Sequence, residues 1–337
     1  MKKLRCVILF LSVMVCAVCM AQTVSNVRFA QLGEQVKITY SLDQTADVSV
    51  YFSEDGGLTW SKLSHLTGNV GKNVPAGENA VYWDALAEYE QIVGSNICFR
   101  VMAQGAVQTV TVGGISFRMI LVEGGTFMMG ATVEQGSDAV AQERPVHQVT
   151  LTDYYIAETE VTQALWQAVM NATPSKNTGK KLPVEMVSWN DCQTFLTKLN
   201  QLTGLQFALP TEAQWEYAAR GGNKSKSTKY SGGNNLKQTG WFGDNAGNKT
   251  RAVGTKQPNE LGLYDMSGNV WEWCQDWYGT YSSAAQTDPE GVVYGTERVA
   301  RGGSVYRPQW MCRTSSRNKF APIVRNNDLG LRLVLLP

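Results

Sequence analysis

The sequence predicts a β-sandwich followed by an α+β region that is poor in regular elements. Three observations carry this. Through residues 22–108, apolar and polar side chains alternate at period two, as half-buried strands require. Between residues 160 and 221, three segments keep a helical period and begin with capping residues. Beyond Gly221 that period is lost, and glycine, asparagine and tryptophan dominate.

The chain opens MKKLRCVILFLSVMVCAVCMAQ. Lys2, Lys3 and Arg5 form a positive n-region, Cys6 to Val18 an apolar run too short for a comfortable span, and Ala21 a small residue before Gln22. This predicts a secretory signal peptide over residues 1–21, and hence an exported protein of the periplasm, cell surface or medium. A lipid anchor would need a small residue directly before the modified cysteine, which Val15-Cys16 and Val18-Cys19 lack. Removing the leader leaves 27 basic against 29 acidic residues, a net charge of −2. No basic block supports nucleic-acid binding, and no second apolar stretch reaches membrane length.

Residues 22–108 hold the strands VSNVRFAQ, QVKITYSL, ADVSVYFS and NICFRVMA, with a turn at Asp55-Gly56-Gly57. They predict an antiparallel sandwich of immunoglobulin-like size. Residues 109–116, rich in Gly, Val and Thr, read as a linker, and 117–337 as the second domain. There MILVEGGTFMMG is a strand broken at Gly124-Gly125. VTQALWQAVM is a helix capped by Thr162. SWNDCQTFLTKLNQLTG is a helix capped by Ser188, with Val187, Cys192, Phe195, Leu196 and Leu199 on its apolar side. LPTEAQWEYAARGG starts with a Thr211/Gln214 capping box and stops at Gly221. The rest has short strands such as VARGGSV and GLRLVLLP, so tryptophan packing, buried polar networks or bound ions must hold it together. GLYDMSGNVWEWCQDW is the best candidate for that centre.

Four cysteines follow the leader: Cys98, Cys192, Cys274 and Cys312. They form no CxxC pair, so a zinc site is not expected. Disulfides and free, buried thiols both remain open for an exported chain.

The blocks GGTFMMG, ERPVHQVTL, ETEVTQALW, PVEMVSWNDC, LPTEAQWEYAARGG, PNELGLYDMSGNVWEW, RVARGGSV and NNDLGLRLV occur in this order. Together they resemble the formylglycine-generating enzyme, or sulfatase-modifying factor, family over about residues 117–336. The resemblance implies a C-type-lectin-like α+β fold with little regular structure. The arrangement is also similar to exported bacterial proteins that place an Ig-like sandwich before this domain. Family enzymes oxidise a sulfatase cysteine to formylglycine with oxygen and a copper(I) ion held by two cysteines. Some relatives join sulfur to histidine derivatives with iron. Others bind ligands through the C-terminal surface, which is diversified in some families.

The family's metal-binding cysteines stand third and eighth after the serine of GGS, here Ser304. Those positions carry Arg307 and Cys312. An alignment on CRTSSRN instead puts Cys312 at a structural cysteine of the family and removes the pair. Either way the pair is broken. A thiolate and a guanidinium cannot hold copper(I), so copper is not expected. A histidine-rich iron centre is not expected in this domain either, because His65 and His147 are the only histidines and His65 lies in the other domain. Cys312 alone is a weak catalytic candidate; Arg307 and Arg313 could lower its pKa, but the alternative is a small buried hydrophobe. Family disulfide positions match Phe195 with Leu333, and Ala219 with the later cysteine site, which implies apolar packing in their place.

The family's calcium motif survives. The resemblance implies ligation by the side chains of Asp265 and Glu272 and the carbonyls of Gly268 and Val270, a hard oxygen set suited to a structural calcium ion. The alternative is that Glu272 pairs with a nearby arginine and no ion binds. The second family calcium site is not expected in the short segment GDNAGNKTRAVG. Trp271 and Ser304 match residues that line the family's oxygen-side pocket; as plain structure they would be core and turn. The expected function is a non-catalytic binding, structural or accessory role, with a protein or glycan ligand on the cell envelope or outside. Tyr306, Arg307, Gln309, Trp310, Lys319, Phe320 and Arg325 are the expected contacts, since aromatics and arginine are the usual hot-spot types. The competing expectation is an oxidoreductase that matures sulfatases.

Overall fold

The computed structural model describes residues 24–335, apart from 58, 90, 91, 93–95, 105 and 106. The expected signal peptide lies outside the described residues. The chain forms two compact units that meet in sequence between Gln108 and Thr109.

The first unit holds strands β1 (Val24–Leu32), β2 (Gln35–Leu42), β3 (Ala46–Ser53), β4 (Ser61–Lys62), β5 (Leu66–Gly68), β6 (Gly71–Val74), β7 (Gly77–Asp84) and β8 (Cys98–Gln104), with one helical turn, α1 (Ala85–Glu88). One sheet has the order β1-β2-β7-β5; the other is β4-β3-β6, with β8 also paired to β3. The pairings between these strands are antiparallel. The period-two alternation works as expected. Val36, Ile38, Tyr40 and Leu42 of β2 and Val48, Val50 and Phe52 of β3 turn into one shared core. Phe52, Trp83, Tyr89 and Phe99 pack ring on ring with centroids 5.0 to 5.8 Å apart. Such pairs add about 0.5–1.5 kcal/mol each beyond burial. The expected turn forms where Ser53 Oγ accepts from Gly57 N at 2.8 Å and Asp55 Oδ1 from Thr59 N at 2.9 Å.

The expectation of a linker at 109–116 is corrected. β9 (Val107–Val112) and β10 (Ile115–Val122) are neighbours in a five-stranded sheet, and Gly113 and Gly114 lie between them. Sequence reasoning saw the glycines but could not see the remote partner strands. β11 (Gly125–Met129) belongs to another sheet with β12 (His147–Leu151), so the strand does break at Gly124-Gly125. The five-stranded sheet runs β14 (Phe207–Ala208), β20 (Val334–Leu335), β13 (Tyr154–Ala157), β10, β9.

The helices form where their caps predict. α2 is Gln163–Met170, α3 Trp189–Thr203 and α4 Glu212–Ala219. Thr162, Ser188 and Thr211 accept from the backbone N–H three residues on, at 3.2, 3.1 and 3.1 Å. Each cap stabilises by about 1 kcal/mol. Cys192, Phe195, Leu196 and Leu199 are buried, and Trp166 stacks on Phe195 with centroids 4.9 Å apart. Gly221 stops α4 at φ +91°.

The irregular remainder is tied by arginines. Arg317 binds both oxygens of Glu212 at 2.6 and 2.7 Å, and Arg313 both oxygens of Glu143 at 2.6 and 2.7 Å. Arg301 pairs with Glu216 and donates to the carbonyls of Ser315 and Ser316 at 2.8 and 2.6 Å. Bidentate guanidinium–carboxylate contacts fix geometry where few ladders do. Phe195, Ala219 and Leu333 are buried apolar residues, and all four described cysteines are free. No described helix is long and apolar enough to cross a membrane.

Candidate functional site

The centre of the second unit is a four-stranded sheet of order β18 (Arg317–Phe320), β17 (Arg298–Arg301), β15 (Trp271–Trp277) and β19 (Leu329–Gly330). β19 runs parallel to β15, with Trp271 opposite Leu329. That pairing brings residue 328 beside the turn that follows β17. The turn needs its glycine: Gly303 has φ +77°, and a Cβ there would lie 2.5 Å from Cys312 Sγ.

Asp328 gathers the site. Its Oδ2 accepts from Ser304 Oγ at 2.7 Å and lies 3.5 Å from Arg307 Nη2. Its carbonyl accepts from Trp271 N at 2.7 Å, and neighbouring Asn327 Nδ2 donates to the Tyr306 hydroxyl at 3.1 Å. Glu185 is a further buried carboxyl. Burial pushes its pKa up and nearby Asp328 adds to the shift; one oxygen accepts from Asn177 N at 2.8 Å and the other has no partner. The indole N–H of Trp271 and Nε of Arg307 are also buried without a partner. The structure thus brings together Trp271, Ser304, Tyr306 and Arg307. It adds Asp328 and Glu185, which sequence reasoning did not single out. Both are lone acids inside otherwise apolar or amide-rich blocks, PVEMV and NNDLG, and that was the available signal.

This arrangement offers charge and hydrogen bonds. Ser304 has a carboxylate beside it and no imidazole. Cys312 is fully buried against Tyr230, Leu236 and Phe242. Burial pushes its thiol up to about 12, so no thiolate forms near neutral pH. Arg313, which could have lowered it, is committed to Glu143. Cys312, the weak catalytic candidate, lies in the core, at 0% exposure. His147 is buried too, with Nδ1 3.1 Å from the Pro145 carbonyl.

The other expected contacts divide. Gln309 and Trp310 sit exposed on a short 3-10 turn, Gln309–Cys312. Lys319 is exposed and pairs with Glu297 at 2.6 Å; Phe320 packs edge-on against Trp273. Arg325 is exposed and binds Asp191 through Nε and Nη2 at 2.7 and 2.9 Å.

The turn before β15 carries the expected cation ligands. Gly268 has φ +111°, and a Cβ there would lie 2.2 Å from the Trp241 carbonyl, so only glycine fits. Asp265 Oδ2 accepts from Gly254 N at 2.7 Å, while its buried Oδ1 has no donor. Glu272 meets Arg332, as the alternative expectation had it, and also accepts from Trp215 Nε1 at 2.6 Å. Glu160 lies close by and accepts from Asn269 Nδ2 at 2.8 Å. Three buried carboxylates thus surround one guanidinium. Burial pushes Glu160 well up, with the charges of Asp265 and Glu272 adding to it, and pushes Asp265 up to about 6, with Glu272 adding to it. A divalent cation on the free oxygen of Asp265 would relieve that excess, so the donor set fits a hard ion. Among the described residues, no three His, Cys, Asp or Glu side chains are placed to share a metal, so an ion here would need backbone oxygens as well.

Comparison with known proteins agrees with this architecture. The model of the sulfatase-modifying factor enzyme 1-like domain matches residues 113–336. A chaperone protein, LppX, of Paenibacillus barcinonensis is 32% identical over 270 residues, covering 65% of this chain and 90% of the relative. A formylglycine-generating enzyme of Thermomonospora curvata is 34% identical, covering 60% of this chain and 66% of the enzyme. The solved structure of Treponema denticola variable protein 1 superposes with a TM-score of 0.63 at 34% identity, covering 69% of this chain and all of that one. By its sheets, its motif order and these matches, the chain belongs to the sulfatase-modifying factor family.

Proposed function

We propose that this protein is a non-catalytic binding or accessory member of the family, exported, with its ligand held at the Asp328 face. One observation carries the reading: the segment that would hold a copper(I) ion places Arg307 in an ion pair with Asp328 and buries Cys312 as a neutral thiol. Enzymes of the family hold that metal with two cysteines, and this segment offers one, fully buried. The likeness to a variable protein and to a chaperone protein supports a face that binds rather than converts. The ligand is a protein or glycan that accepts hydrogen bonds from Arg307 and Tyr306 and packs on exposed Trp310. The first unit serves as an immunoglobulin-like spacer. Calcium at Asp265 and Glu272, with the carbonyls of Gly268 and Val270, steadies the turn that leads into β15.

The test is capture of surface glycans and envelope proteins with the full chain and with Arg307→Ala and Trp310→Ala. Specific capture that both variants lose supports the reading. The second reading, formylglycine formation, draws on the identity to the formylglycine-generating enzyme. Incubation with copper(I), oxygen and a sulfatase-motif peptide decides between them: loss of the cysteine sulfur from the peptide overturns the non-catalytic reading.

A further inference from the structure

A separate cavity of about 320 Å³ opens between the end of α2, the 172–187 segment and the start of α3, lined by Trp166, Met170, Pro174, Met186, Val187 and Arg325 among others. Its volume lies at the lower end of small-ligand sites. The wall is mostly thioether, ring and aliphatic. Met186 is held there at φ +62°, a conformation side-chain-bearing residues rarely adopt, with its N–H fixed on the Asn326 carbonyl at 2.9 Å.

The polar groups of this wall are unbalanced. The indole N–H of Trp166 is buried and has no acceptor. Asp191, the acid at the rim, holds Arg325: its Oδ2 takes Ser188 N, Ser188 Oγ and Arg325 Nε at 2.8, 2.7 and 2.7 Å, and its Oδ1 takes Arg325 Nη2 at 2.9 Å. Arg325 is thereby pinned through its Nε edge, which leaves the Nη1–Nη2 edge of the guanidinium to receive a second acceptor. The Arg325 guanidinium is thus the charged donor at the mouth of a mostly apolar cavity. An occupant must bring acceptors and an apolar body.

We infer that this cavity binds a small carboxylic acid with an aryl or medium-chain alkyl body, its carboxylate on Arg325 and its body over Trp166, Met170 and Met186. A planar carboxylate matches the open guanidinium edge, and the pre-pinned side chain loses little freedom on binding. Of the contacts expected for the binding face the cavity uses Arg325 alone, and neither Arg307 nor Trp310, so different variants test it and the proposed function.

Calorimetric titration of the full chain with phenylacetate, indole-3-acetate and octanoate tests this, with methyl phenylacetate as the uncharged control. At least one acid should bind saturably in the micromolar to millimolar range, and the ester about tenfold or more weaker, the usual scale for losing a charge-assisted pair. Arg325→Gln should weaken the acid about tenfold and leave the ester unchanged. No saturable binding of any of the three acids overturns the inference. So does equal binding of acid and ester, or binding untouched by Arg325→Gln. Arg325 is exposed, so its variant should fold.

Discussion

Arg332 lays Nε and Nη2 on the two carboxylate oxygens of Glu272, at 2.9 and 2.7 Å, where neither side chain touches water. Its other donors reach the carbonyls of Ala157 and Tyr264, both at 2.8 Å. One guanidinium therefore joins β13, the loop before the Gly268 turn, and β15.

Arg332→Gln should destabilise the second unit by about 3–5 kcal/mol, because it strands a buried carboxylate. Adding Glu272→Gln should recover part of that loss, since no unpaired charge remains from the pair. Urea denaturation of the two variants and the wild type checks both outcomes.

Calcium should raise the melting temperature of the wild type, and a chelator should lower it. Asp265→Ala should abolish the calcium response while leaving Arg332 on Glu272. A thermal melt with and without calcium measures this, and a flat response in the wild type would sink the calcium reading.

Asp276 supplies a pH dependence of its own. Burial, with Glu212 beside it, pushes its pKa from the usual 3.8 up to about 7. The folded state therefore holds a proton that the unfolded state has released, and this group's contribution to stability falls as pH rises from about 4 to about 7. Asp276→Asn keeps an acceptor for the Glu212 N–H, which Asp276 Oδ2 meets at 2.7 Å. The variant should lose less stability than the wild type between pH 5 and pH 8, read as the difference in urea midpoint.

Cys312 should resist alkylation in the native protein at pH 8 and react once the chain is unfolded, because burial holds the thiol at about 12. Cys312→Ala should cost about 1–2 kcal/mol for the lost packing and leave ligand capture intact. Mass spectrometry after iodoacetamide reads the first outcome.

Much of the fold was legible because its causes are local. Thr162, Ser188 and Thr211 cap the helices they announce, since a cap involves residues three apart. The alternation in β2 and β3 sorts core from surface for the same reason. The site was less legible. Ser304 meets Asp328 across 24 residues, and Glu272 meets Arg332 across 60. The order of family blocks pointed to Ser304 and Trp271, but only the β15–β19 pairing shows that Asp328 joins them. The strand in the expected linker escaped notice because its partners are remote in sequence.

That strand decides where the chain can be divided. A polypeptide beginning at Phe117 would start two residues inside β10 and lack β9, the strand at one end of the five-stranded sheet. It would expose the backbone donors and acceptors of β10 and favour edge-to-edge association. The smallest excisable form of the second unit begins ahead of Val107, only a few residues after the last strand of the first unit ends at Gln104.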